Sequence, residues 1–372
     1  MSLLYNESMR KLTSTESYKW GIYAPSILFL TAALMYSIYW FVAAGNIDDE
    51  VAAWAVRQEA EGYEISYSDI DVGGFPYRFE ARLKDFAIAA PYHPYDWIWT
   101  SDELNIITLS YRFDRFIFES YGQQRIVYQE ILETQARAPA QYFVDGEGKA
   151  LRGSATLKDG VIDNVSIDLQ GLQATRSGGS GPIQDLQSDR VQLHLRQGET
   201  LEQQETDFGL DLYVKAENTR LTSQGLETQT PETLNLLQGK FTLDAIDAET
   251  LLEAEYIDRW FRDGGKVTMS DLALVWDDYG LQGNGKMGVD TRSRPKGKID
   301  LQIFGHSQMI ARLVEADLIE REAGQIANGA LALLALASQN EQGAIEVPLE
   351  FKNGAIFLGP ARIANTAPIQ FN

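Results

Sequence analysis

The sequence predicts a mainly β protein, β-rich α+β in class, held by a single N-terminal transmembrane helix. Three observations predict it. No charged residue occurs between Lys19 and Asp48. From about Tyr77 onward, apolar residues recur at every second position. Helical spacing returns in only two later segments, so the body reads as an extended, curved antiparallel sheet or groove with a few covering helices.

The uncharged stretch is long enough to cross a bilayer, which needs about 20 apolar residues at roughly 1.5 Å each. The expected span is Tyr23–Ala43. Arg10, Lys11 and Lys19 precede it, and Asp48, Asp49 and Glu50 follow. Basic residues stay on the cytoplasmic side, which places the N-terminus inside and the body in the periplasm. Trp20 and Tyr23 at one end, with Tyr39 and Trp40 at the other, suit interfacial aromatic belts. Pro25 is expected in the first turns, where proline is least disruptive. The competing reading is a signal peptide cleaved near Val42-Ala43-Ala44, but a signal core is about 7–15 residues and this one is longer. The organisation is a tail over residues 1–19, an inner-membrane anchor over 20–45 and a body over 46–372, with a sub-boundary near 176–182.

Within the body, Asp48 to Tyr63 has helical spacing, with Asp48 as N-cap and Gly62 as stop, or continues the membrane helix outward. Tyr77, Phe79, Ala81 and Leu83 then alternate with Arg78, Glu80, Arg82 and Lys84, a strand with one wet face. The same texture recurs at Val165, Ile167 and Leu169; at Val191, Leu193 and Leu195; at Leu210, Leu212 and Val214; and at Ile299, Leu301 and Ile303. Asp159-Gly160, Gly264-Gly265 and Asn353-Gly354 read as turns. Ser177 to Pro182 reads as the most flexible loop. The helical segments are Glu249–Arg262 and His306–Ser338, with Gly324 and Gly329 as weak points in the second.

Composition excludes several functions. The chain has 372 residues, a net charge of −21 and no cysteine. An acidic surface is wrong for nucleic acid. Without cysteine there are no disulfides, thiolate metal sites or cysteine nucleophiles. His93, His194 and His306 lie far apart without ligand spacing. His194 is expected on a solvated strand face and His306 at a helix start. Gly283-Asn-Gly285-Lys-Met-Gly288 fits G-x-G-x-x-G, but it continues as a strand and turn rather than a helix, so no dinucleotide site is expected. No cofactor, metal site or catalytic constellation is expected, and the chain reads as a non-enzyme.

Two stretches carry a resemblance. One is Gly73-Gly74-Phe75-Pro76-Tyr77-Arg78-Phe79. The other runs from Leu274 through Trp276, Gly283 and Gly285 to Asp290, then from Pro295 to Gly305 and from Val347 to Pro360. With the anchor, they resemble the alphaproteobacterial envelope family called domain of unknown function 2125, over roughly residues 60–369. The ending Asn365-Thr-Ala-Pro368 departs slightly from that pattern. The resemblance implies no catalytic residues. Its layout is also similar to AsmA-like envelope proteins, which implies a curved β-groove and lipid handling.

Gly73, Gly74, Phe75, Pro76, Trp276, Gly283 and Gly285 are therefore read as structural. Phe75 is expected as a buried plug beneath the first amphipathic strand. Leu193, Leu195, Leu210 and Leu212 are the candidate apolar groove. The expected partners are the inner membrane and, at the groove, a lipid or other amphiphile. The alternative is a structural or assembly factor that docks on another envelope protein.

Overall fold

A computed structural model of the chain describes residues 16–90, 96–131, 137–144, 151–178, 184–199, 208–223, 233–244, 246, 254–315, 319–337 and 344–369. His93, Glu249 to Glu253 and Ser338 lie outside them. So do residues 179–182 of the expected flexible loop.

Helix α1 (Glu16–Ala60) is continuous. Asp48 is therefore mid-helix and caps nothing, and Pro25 is interior rather than in the first turn. From Tyr23 to Met35 every side chain is exposed, although nearly all are apolar. One helix is thus long and apolar enough to span a membrane by length and composition.

The rest is one antiparallel sheet of 17 strands. Strands β1 (Glu64–Ser66) and β2 (Asp69–Gly73) share the outer edge of β3 (Arg78–Ala90). Then follow β4 (Trp97–Leu109) and the long β5 (Arg112–Ile131). Strands β6 (Arg137–Val144) and β7 (Leu151–Lys158) sit end to end between β5 and β8 (Val161–Gly178). The meander continues through β9 (Gln184–Glu199), β10 (Phe208–Ser223), β11 (Thr233–Asp244) and β12 (Val267–Trp276). It ends with β13 (Tyr279–Val289), β14 (Pro295–Phe304), β15 (Ile345–Lys352), β16 (Ala355–Leu358) and β17 (Ala361–Asn365). β8 and β9 pair from Arg176↔Gln184 onward, so the sheet runs unbroken past residues 176–182.

The sheet bends along a row of left-handed residues. Asp85 in β3, Gly122 in β5, Gly171 in β8 and Asn218 in β10 all have positive φ, between 48° and 74°. Asp102, opposite the first two, accepts from Gln123 N at 2.8 Å, and Asn218 Nδ2 donates to Asp189 Oδ2 at 2.7 Å. These residues interrupt their strands, and of the four only Gly122 lies at a register shift, opposite Ser101 to Glu103, where a bulge bends the strand. They also reset the alternation: in β3 the inward set passes from Phe79, Ala81 and Leu83 to Phe86, Ile88 and Ala90. One apolar face survives the bend.

Two buried cores close the ends of that face. At the N-terminal end, Trp40, Ala44, Ile47 and Val51 of α1 pack on Phe79, Leu83 and Phe86. At the C-terminal end, α3 (His306–Glu315) and α4 (Arg321–Ala337) cover β13 to β17 through Met309, Ile310, Ala327 and Leu331. The expected single helix is thus a hairpin of two. Gly324 is a contact rather than a weak point, because a Cβ there would lie 2.5 Å from Val314 Cγ2. Helix α2 (Ala254–Arg262) is anchored by Trp260 Nε1 donating to Asp244 O at 2.8 Å.

The chain exposes 24941 Å². A compact chain this long exposes roughly 15,000 Å². The exposed α1 and a single sheet capped at both ends account for the excess, and we call this sheet the trough.

Candidate functional site: the apolar face of the trough

Directly opposed residues of antiparallel strands share a face. One row of such partners crosses the molecule. It runs Phe79, Thr108, Phe116, Ala155, Val165, Leu195 and Leu212 from β3 to β10. It continues through Phe241, Met269, Gly285, Ile299, Leu349 and Leu358 to β16. Thr108 is its only polar member. The parallel row Ile167, Leu193, Val214 and Gly239 lies on the same face.

The opposite face is charged. Its matching row reads Asn164, Arg196, Asp211, Thr242, Thr268, Lys286, Lys298 and Glu350. Arg190 grips Asp168 with two hydrogen bonds of 2.8 and 2.7 Å. Those bonds hold the Asp168 carboxyl below the usual carboxylate range. His194 lies here, half-buried, with Nδ1 2.9 Å from Ser166 Oγ and its ring against Tyr213. His306 is the first residue of α3.

Between the two capped ends, the apolar face is not sealed among the described residues. Leu193 is 37% exposed and Leu237 39%. Leu195, Leu212, Val165, Ile167 and Phe241 are half-buried. Leu210 differs from the rest of the candidate set: it is fully buried and cannot line an open surface. The four leucines share one face of adjacent strands, Leu195 directly opposite Leu212. From β5 to β12 the strands are about 4.8 Å apart, so this stretch is an arc of roughly 30 Å, and within it Val144, Leu172 and Ala174 form a small buried cluster with Leu169 and Val191.

The face carries a polar knot that the alternation gave no sign of. Ser101, Ser120 and Gln124 are buried at the bulge around Gly122. Ser101 Oγ lies 2.6 Å from Ser120 Oγ, and Gln124 accepts from Ser120 at 2.8 Å and from Trp99 Nε1 at 3.1 Å. Each partner is satisfied within the knot, as a buried polar group must be. The readable signal was an isolated glycine inside a strand.

The remaining motif residues are placed as follows. Gly283 and Gly285 lie within β13 on the apolar face, so the G-x-G-x-x-G stretch is strand. A Cβ at Gly283 would lie 2.3 Å from Asp300 O, and one at Gly285 2.5 Å from Lys298 O. These glycines let β13 and β14 close tightly. Trp276 packs on the C-terminal core and stacks on Tyr279 at 6.2 Å. Gly73 ends β2, and Gly74, at φ 103°, makes the turn into Phe75 and a cis Pro76. Phe75 corrects the expectation of a plug. It is 47% exposed and stacks on Phe41 of α1 at 5.4 Å instead of filling a space beneath the strand. The residue that fills that space is Phe79, 2% exposed. Among the described residues, no cluster of His, Asp or Glu side chains could hold a metal ion.

Residues 40–367 match the family described as uncharacterized proteins conserved in bacteria, domain of unknown function 2125. The chain belongs to that family. The match starts at Trp40, so it takes in the part of α1 that packs on the sheet and both capped ends of the trough. No curated protein and no solved structure matches the chain, so the likeness to AsmA-like proteins gains no support from them.

Proposed function

We propose that this bacterial protein is anchored in the inner membrane by α1, holds its body in the periplasm, and binds an acyl chain or similar amphiphile along the trough. The reading rests on one observation: the row of direct partners from Phe79 to Leu358 is almost wholly apolar, and its middle is uncapped among the described residues. Burying a chain there is worth about 0.8 kcal/mol per methylene. No charge is needed at the floor, and the charged rows are on the other face.

The topology rests on the charge asymmetry around the span. A reporter active only outside the cytoplasm, fused after Asn372, should give signal. A cytoplasm-only reporter working there would overturn the orientation.

Native mass spectrometry of detergent-extracted protein tests the binding. Lipid should accompany the wild type and be lost from Leu193→Glu, which stays folded because Leu193 is part-exposed. A wild type free of lipid would favour the assembly-factor reading instead.

A further inference from the structure

Two turns at the foot of the sheet are more apolar than a wet surface explains. Phe75 and Tyr77 occupy the turn before β3, Tyr111 the turn before β5, and Phe113 is the second residue of that strand. Their exposures are 47%, 74%, 72% and 54%. Both turns are fastened to α1. Tyr36 Oη donates to Pro76 O and lies 2.6 Å from Ser110 Oγ. Tyr39 Oη donates to Ser110 O at 3.1 Å, and Trp40 Nε1 donates to Arg78 O at 3.1 Å.

The depth of that attachment is set by the sequence. Counting from Lys19, about 20 residues at 1.5 Å each cross a hydrocarbon core and end near Tyr39. Tyr36 to Trp40 are therefore at the far boundary of the core, with Asp48 the first charge beyond it. The two turns sit at the same level and extend the exposed apolar surface of α1 sideways. Aromatic side chains favour this layer. Non-helical backbone at such depth must have its carbonyls satisfied internally. Here the carbonyls of Pro76, Tyr77, Arg78 and Ser110 all accept protein hydrogen bonds, Tyr77 O from Ser110 N at 3.1 Å.

We infer that these two turns insert into the interfacial layer of the bilayer that α1 crosses. Phe75, Tyr77, Tyr111 and Phe113 form an aromatic collar that fixes the height and tilt of the trough above the membrane. The inference rests on the membrane-spanning reading of α1, and its test separates the two.

The chain has no cysteine, so single spin labels can be placed at Tyr77→Cys, Tyr111→Cys, Met35→Cys and Gln302→Cys in the full chain. The protein is reconstituted in vesicles of phosphatidylethanolamine and phosphatidylglycerol. Collision with oxygen is compared with collision with a water-soluble nickel complex. The Tyr77 and Tyr111 labels should show an oxygen-to-nickel ratio several-fold above that of Gln302 and below that of Met35. A hydrocarbon-like Met35 with water-like Tyr77 and Tyr111 would overturn the collar alone. A water-like Met35 would overturn the span and the collar together. Protection of Tyr77 and Tyr111 from both reagents would mean that protein covers the turns, and would also overturn the collar.

Discussion

The Trp40 indole lies almost parallel to the Phe79 ring, with centroids 5.3 Å apart and planes 20° apart. It joins the anchor helix to the first long strand. Both residues are buried, at 3% and 2% exposure. Phe79→Ala should cost about 3–5 kcal/mol, as large aromatic truncations in cores do. A double-mutant cycle with Trp40→Ala, read by denaturant unfolding in detergent, should give a coupling of about 0.5–1.5 kcal/mol. Phe75→Ala should cost far less, because half of that ring is already exposed. Equal losses at Phe75 and Phe79 would show that the burial difference is wrong.

The hairpin of α3 and α4 depends on Gly324. Alanine in place of a helical glycine gains about 1 kcal/mol in propensity. Against that, its Cβ would meet Val314 Cγ2 at 2.5 Å. Overpacking of this kind costs about 1–3 kcal/mol. Gly324→Leu should therefore lower the melting temperature clearly, and Gly324→Ala only slightly. A stabilised Gly324→Leu would mean that the two helices can part without loss.

The turn between β13 and β14 should carry a pH signature. Asp290 Oδ1 accepts from the backbone N–H groups of Arg292 and Arg294, and Oδ2 accepts from the Arg294 guanidinium at 2.8 and 2.6 Å. The Arg294 bond, ahead of the other contributions, lowers the Asp290 carboxyl to about 2. An unfolded aspartate titrates near 3.9. The contribution is therefore complete above pH ~4 and fades as pH falls toward 2. The stability gap between wild type and Asp290→Asn should narrow across that window. A gap unchanged from neutral pH to pH ~2 would contradict the pairing.

The left-handed residues inside the strands predict a sharp residue preference. Asn218 has φ 48°, a region open to asparagine and glycine but strained for β-branched residues. Asn218→Val should destabilise by roughly 1–2 kcal/mol, and Asn218→Gly should change little. Equal unfolding midpoints for the two would show that β10 does not need the left-handed residue.

The class of fold and most strands were legible because period-2 alternation at Phe79, Val165, Leu193 and Ile299 reports one buried and one wet face directly. The left-handed residues inside the strands were not. A single Asp85 or Asn218 inside a strand looks like an ordinary polar position, although it shifts every following side chain to the opposite parity. At Asp48 the sequence leaves two readings open, because a good capping residue says nothing about whether the chain before it is already helical; the continuous helix is the one observed. Phe75 was misjudged for a similar reason. An aromatic beside Gly-Gly and Pro announces a turn, but only packing shows that Phe79 fills the core and Phe75 leans on Phe41. The leucine set could be placed on one face by alternation, whereas the full burial of Leu210 depends on three-dimensional neighbours.

An uncapped apolar face that is an open binding surface, rather than a core, should tolerate a charge in the fold but not in binding. Native mass spectrometry of the wild type beside Leu193→Glu and Leu212→Glu tests it most directly, with circular dichroism to confirm the fold. Lipid is expected on the wild type, and the variants should fold without it. Wild-type protein free of lipid, with both variants unable to fold, would contradict it.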